Sequence, residues 1–148
     1  MRSRIVLVAL VLALTGLVAT GKASAHVPEE VRFRIHLTGA EEVPGPGDPD
    51  GKGLARIKLL PKEELVCWSI KVVDIKLPAI GAHIHQAPRG VAGPIVVPLS
   101  NPNELGLASG CASVDRSLIV AIAKAPSNFY VNVHTEDFPA GALRGQLA

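Results

Sequence analysis

Two-residue alternation of apolar and polar side chains governs most of this chain. Val31, Phe33, Ile35 and Leu37 alternate with Arg32, Arg34, His36 and Thr38. Successive side chains on a strand project to opposite faces, so this stretch is a half-buried β-strand with His36 on the wet side. Ala55, Ile57 and Leu59 alternate with Arg56 and Lys58, and across residues 64–75 Val66, Trp68, Ile70 and Val72 share one face. The Trp68 indole is expected in the core. Residues 81–85 and 128–134 alternate in the same way, and residues 95–99 make a short apolar strand. In the last strand, residues 143–147, Leu143 and Leu147 are expected inside with Arg144 and Gln146 outside.

Proline and glycine punctuate these strands. Residues 44–51 read Pro-Gly-Pro-Gly-Asp-Pro-Asp-Gly, and prolines supply no ladder donor, so this is a loop. Residues 86–94 and 101–110 read as turn-rich loops. Helical spacing occurs at residues 115–125, where Leu118 lies one turn from Ile122, Asp115 stands at the cap position and Pro126 ends the run. Short strands, tight turns and one small helix describe an all-β antiparallel sandwich or Greek-key barrel.

The first 25 residues read as a secretory signal peptide. Arg2 and Arg4 precede an apolar run at residues 5–19, and Ala23-Ser24-Ala25 supplies the small-x-small cleavage pattern. The run is short for a membrane span, and nothing after it is long or apolar enough to cross one. Residues 26–148 then form a single domain, secreted or periplasmic, with His26 at a loose end. Cleavage removes Arg2, Arg4 and Lys22 from a chain of 15 basic and 13 acidic residues. The remainder is slightly acidic. With no basic run and no aromatics interleaved with basic residues, nucleic acid is excluded as the expected partner. The partner expected is an extracellular or periplasmic one, of a kind the residues leave open.

Cys67 and Cys111 are the chain's 2 cysteines. In an oxidising compartment they are expected to form a disulfide.

Chemistry concentrates in two strands. His83 and His85 share a face in Gly81-Ala-His-Ile-His85, and Tyr130, Asn132 and His134 share a face in Asn128-Phe-Tyr-Val-Asn-Val-His134. If these strands pair, three imidazoles meet across about one strand spacing, ~5 Å. Three histidines suit copper first and zinc second, with an open position for a further ligand. The other reading is a polar network, in which His83, His85 and His134 join Tyr130, Asn132, Arg144 and Gln146 to fix strand register. No Gly-x-Ser-x-Gly elbow is present and neither cysteine is an evident nucleophile, so no catalytic residue is assigned.

Three blocks resemble the signatures of the CHRD (chordin-like) domain: Leu37-Thr-Gly-Ala-Glu-Glu-Val-Pro44, Gly81-Ala-His-Ile-His85, and Tyr130-Val-Asn-Val-His-Thr135 followed by Phe138-Pro-Ala-Gly-Ala-Leu-Arg-Gly-Gln-Leu147. The resemblance spans residues 31–147 and implies a secreted all-β domain, here in single copy, with a binding or structural role. The order His-x-His, then Val-His, then Gly-x-x-Arg-Gly is also similar to the copper side of copper/zinc superoxide dismutases. That similarity implies copper ligation by His83, His85 and His134 with Arg144 steering an anion, on an immunoglobulin-like or dismutase-like Greek-key sandwich. The zinc half has no counterpart, since residues 86–99 contain neither histidine nor aspartate. Two functions stay open: a non-catalytic module, and a copper or zinc protein with redox or dismutase-like activity.

Overall fold

A computed structural model describes residues 28–148. The signal peptide read at residues 1–25, and His26, lie outside the described residues. The strands are β1 (Val31–Thr38), β2 (Lys52–Leu60), β3 (Leu65–Val73), β4 (Gly81–Gln86), β5 (Ile95–Pro98), β6 (Leu107–Ser113), β7 (Phe129–His134) and β8 (Leu143–Gln146), and the helix α1 (Arg116–Lys124) lies between β6 and β7. They make one antiparallel sheet of 8 strands in the order β5-β4-β7-β8-β1-β2-β3-β6, curled nearly into a barrel. Consecutive strands pair in the β1-β2-β3 meander, whereas β4 with β7, β8 with β1 and β3 with β6 are long-range neighbours.

Alternation decides what fills the interior. Ile35 and Leu37, Ala55, Ile57 and Leu59, Val66, Ile70 and Val72, Ala82 and Ile84, and Val131 and Val133 are buried in one apolar cluster. The helix α1 adds Ile119 and Ile122, both fully buried. Leu118, one turn from Ile122, is only half-buried. Asp115 stands at the N-cap, but its side chain makes no capping bond; its main-chain carbonyl instead accepts from the Leu118 and Ile119 N–H groups.

One expectation for this half of the sheet needs correction. Residues 107–110 belong to β6, not to a loop, and pair with β3 from Lys71 opposite Leu107 to Leu65 opposite Ser113. The strand Leu-Ala-Ser-Gly-Cys-Ala-Ser is built from small residues that carry little apolar period, so the β3 ladder rather than its own pattern sets it. Trp68 packs against the core as expected, but near this sheet edge it is only half-buried. Gly110 stands opposite it, where a Cβ would come within 2.8 Å of the indole, and the indole N–H donates to Ser100 Oγ at 3.0 Å. Cys67 and Cys111 are directly opposed in the same pair and are joined by a disulfide.

The larger correction concerns β8. Arg144 is 0% exposed and Gln146 7%, although their strand parity turns both away from the apolar interior. The chain between β4 and β5 lies across them. Residues 87–93 turn carbonyls toward these side chains, and those bonds offset the cost of burying polar groups. The sheet therefore has two unlike outer regions: β4-β7-β8, where a polar layer is covered, and β1-β2-β3-β6, which is open.

Candidate metal centre

The covered region holds His83, His85 and His134, the three candidate ligands. His83 stands opposite Asn132 and His85 opposite Tyr130, while His134 pairs with Gly81. Arg144 follows Asn132, and Gln146 follows Tyr130, on the far side of β7. Parity places all of these side chains on one face. Gly81 makes room for two rings: a Cβ there would meet His134 Cδ2 at 3.1 Å and His83 Cε1 at 3.2 Å. A larger residue would wedge them apart.

The imidazole centroids are 5.1 Å apart for His83 and His134, 5.5 Å for His83 and His85, and 6.3 Å for His85 and His134. One ring nitrogen from each lies within 4.8 Å of the others. Nitrogens on a single ion with bonds of about 2.0–2.1 Å stand no more than ~4.2 Å apart, so only a slight inward turn of the rings separates this arrangement from a coordination site.

Hydrogen bonds set which nitrogen each ring can offer. His85 Nδ1 donates to the Gly93 carbonyl at 2.9 Å and His134 Nδ1 to the Pro139 carbonyl at 3.0 Å. Both protons then sit on Nδ1, leaving lone pairs on Nε2. His134 Nε2 faces His83 Nδ1 at 3.2 Å. His85 Nε2 is buried and has no hydrogen-bond partner. Burial lowers all three imidazole pKa values, and in His83 the neighbouring His134 and His85 add to it, taking its pKa down to about 4. The rings are therefore neutral near pH 7, the form that ligates metal.

A second layer holds the His85 ring. Tyr130 stacks on it at 4.8 Å with an interplanar angle of 11°, and the Arg144 guanidinium lies 3.5 Å from the same phenol ring. The Tyr130 hydroxyl accepts from the Gly93 N–H at 3.2 Å, so Tyr130 touches both His85 and the residue whose carbonyl orients it. Arg144 donates to the carbonyls of Val91 and Pro88, each at 3.0 Å. Gln146 Nε2 donates to the Ala87 and Ser127 carbonyls at 2.8 and 2.7 Å. These groups anchor the loop that carries Gly93. Arg144, which the dismutase similarity cast as an anion guide, turns its two terminal nitrogens to backbone carbonyls and Gln146 Oε1, while its buried Nε has no partner.

Glu42 is the residue that sequence reasoning missed. It is 5% exposed, and Asn132 Nδ2 donates to its Oε1 at 2.6 Å. Burial raises its pKa to about 7 against the opposing pull of Asn132, Arg144 and the Val43 N–H. The available signal was its place in the Leu37–Pro44 block, where two adjacent acids precede a proline. Of the polar network expected around the histidines, Tyr130 contacts His85 directly, while Asn132, Arg144 and Gln146 bond to Glu42 and to loop carbonyls. The imidazoles bond to one another and to backbone.

No curated protein and no solved structure matched the chain. The family model of the CHRD domain matches residues 33–147, which takes in all eight strands but the first two residues of β1, as well as the three histidines and Glu42. The chain belongs to the CHRD domain family.

Proposed function

We propose that this CHRD domain, a binding or structural module, is an exported metal-binding protein that takes one copper ion, or zinc in its place, at His83, His85 and His134. The observation that carries the reading is the buried, partnerless Nε2 of His85. Leaving such a nitrogen unpaired costs about 1–3 kcal/mol, and a metal bond removes that cost. His83 Nδ1 and His134 Nε2 complete the set, with His83 carrying its proton on Nε2 when metal is bound. Backbone carbonyls on His85 and His134 are the usual outer partners of ligating imidazoles, fixing tautomer and ring orientation. Cu(II) heads the affinity order for a nitrogen site among common divalent ions. The leader pattern and the disulfide support export.

Thermal melting of the mature protein with and without Cu(II) tests this. An ion that binds only the folded state adds about 2.7 kcal/mol at a hundredfold excess over its dissociation constant. The melting temperature is expected to rise in the wild type and to stay unchanged in H85A and H134A. An equal shift in all three proteins would refute the site.

A further inference from the structure

The outer face of β1, β2, β3 and β6 gathers cations that the linear sequence scatters. Register sets Arg32 opposite Lys58 and Arg34 opposite Arg56. On β3, Ser69 stands beside Arg56, and Lys71 follows it on the same face. Neighbouring strands are about 4.8 Å apart and same-face residues about 6.8 Å, so these side chains form a close grid. Glu30 pairs with Arg32 and Lys58, but no ion pair among the described residues includes Arg34, Arg56 or Lys71. Like charges set directly across a strand pair are destabilising. The 13 acids of the chain lie almost wholly elsewhere, so the grid does not follow from overall charge.

The face is also furrowed. One depression is lined by Arg32, Arg34, Lys58 and the Cys67–Cys111 pair, and a second by Lys71, Asn101, Asn103 and Ser109. Arg56 and Ser69 line both, so the two depressions adjoin at these side chains in a shallow groove over the four strands.

We propose that this groove binds a linear acidic polysaccharide, its carboxylates or sulfates on Arg34, Arg56 and Lys71 and its hydroxyls on the serines and asparagines. Guanidinium groups match planar carboxylates and sulfates with paired N–H donors. Short neutral side chains beside them suit sugar hydroxyls. Phe33 and Trp68 also line the first depression, but strand parity sets both rings on the core side and each is half-buried, so they offer no open row of rings on which nucleic-acid bases stack. A lipid surface is met by apolar side chains set among the cations; Leu54 and Leu107 do flank Lys71, but Arg56 stands in a row with Ser69 and Ser109, and the vesicle arm of the test separates the two occupants.

The test uses the mature protein on immobilised polygalacturonate, with neutral dextran and phosphatidylglycerol vesicles as comparison arms. Retention on polygalacturonate that weakens as salt rises is expected, with none on dextran. The double variant R34S/R56S is expected to bind about tenfold more weakly, while its melting temperature stays level or rises because the like-charge pair is gone. K124S, on α1 and outside the groove, is expected to bind as wild type. The proposal is overturned if R34S/R56S binds as tightly as wild type, if K124S loses as much, if polygalacturonate is not retained, or if vesicles bind more tightly than polygalacturonate.

Discussion

His83 Nδ1 and His134 Nε2 face each other at 3.2 Å across the β4–β7 pair. Only one of the two can carry the intervening proton. The Pro139 carbonyl takes the Nδ1 proton of His134, so without metal His83 is the donor and His134 the acceptor. A metal ion bound as proposed would take the place of that proton. On the proposed function, the same two nitrogens that share a hydrogen bond in the apo protein become ligands in the loaded one.

Arg144 is expected to act as a positioning residue. Replacing it with methionine keeps much of the volume but leaves the Pro88 and Val91 carbonyls without their donor, a loss of about 2–4 kcal/mol. Backbone exchange in residues 87–93 is expected to quicken, and copper affinity to fall because Gly93 no longer fixes His85. Hydrogen exchange on R144M checks the first and copper titration the second. Unchanged exchange in that loop would contradict the assignment.

The disulfide closes a loop with a sequence separation of 44, for which the chain-entropy model gives about 4 kcal/mol. The C67A/C111A variant is expected to lose stability of that order in urea unfolding and to keep its copper site, because β3 and β6 pair with neither β4 nor β7, the strands that carry the histidines. Loss of copper binding without unfolding would contradict this separation.

Glu42 has a folded-state pKa of about 7 against an ordinary 4.5. Between these values the unfolded chain has released the proton and the folded chain keeps it, so this group's contribution is full below about pH 4.5 and is lost as pH rises through about 7. The loss is on the order of 3 kcal/mol. The depressed imidazoles act in the opposite sense, losing stability as pH falls below 6.5, so the difference between wild type and E42Q isolates the carboxyl. Unfolding of both proteins from pH 4 to pH 8, the range set by these shifts, is expected to show the wild type declining relative to E42Q. Parallel curves would contradict the assignment.

Most of the sheet was legible because Val31 to Leu37, Ala55 to Leu59 and Val66 to Val72 carry their period openly. The strand β6 was not, because Ala108, Gly110 and Ala112 offer no apolar contrast, and its pairing depends on β3. The histidine cluster could be read from i, i+2 spacing on β4 and from the matching parity of β7. What surrounds it could not. Arg144 and Gln146 alternate with Leu143 and Leu147 as exposed residues would, and they are buried by residues 87–93, by Ser127 and by the Tyr130 ring, none of which the strand's own pattern signals. Glu42 reaches Asn132 across 90 residues of chain, a contact no local pattern signals. The cationic groove was hidden for the same reason: alternation kept its arginines apart in sequence, and register brings them together.

The most direct test of the metal site is electron paramagnetic resonance of the mature protein loaded with one equivalent of Cu(II). One bound species is expected, whose spectrum carries nitrogen couplings from imidazole ligands, with a reduced nitrogen set in H83A and loss of that species in the H85A/H134A double variant. A double variant that binds copper with the wild-type spectrum, or a wild type whose copper spectrum is that of the free ion, would contradict it.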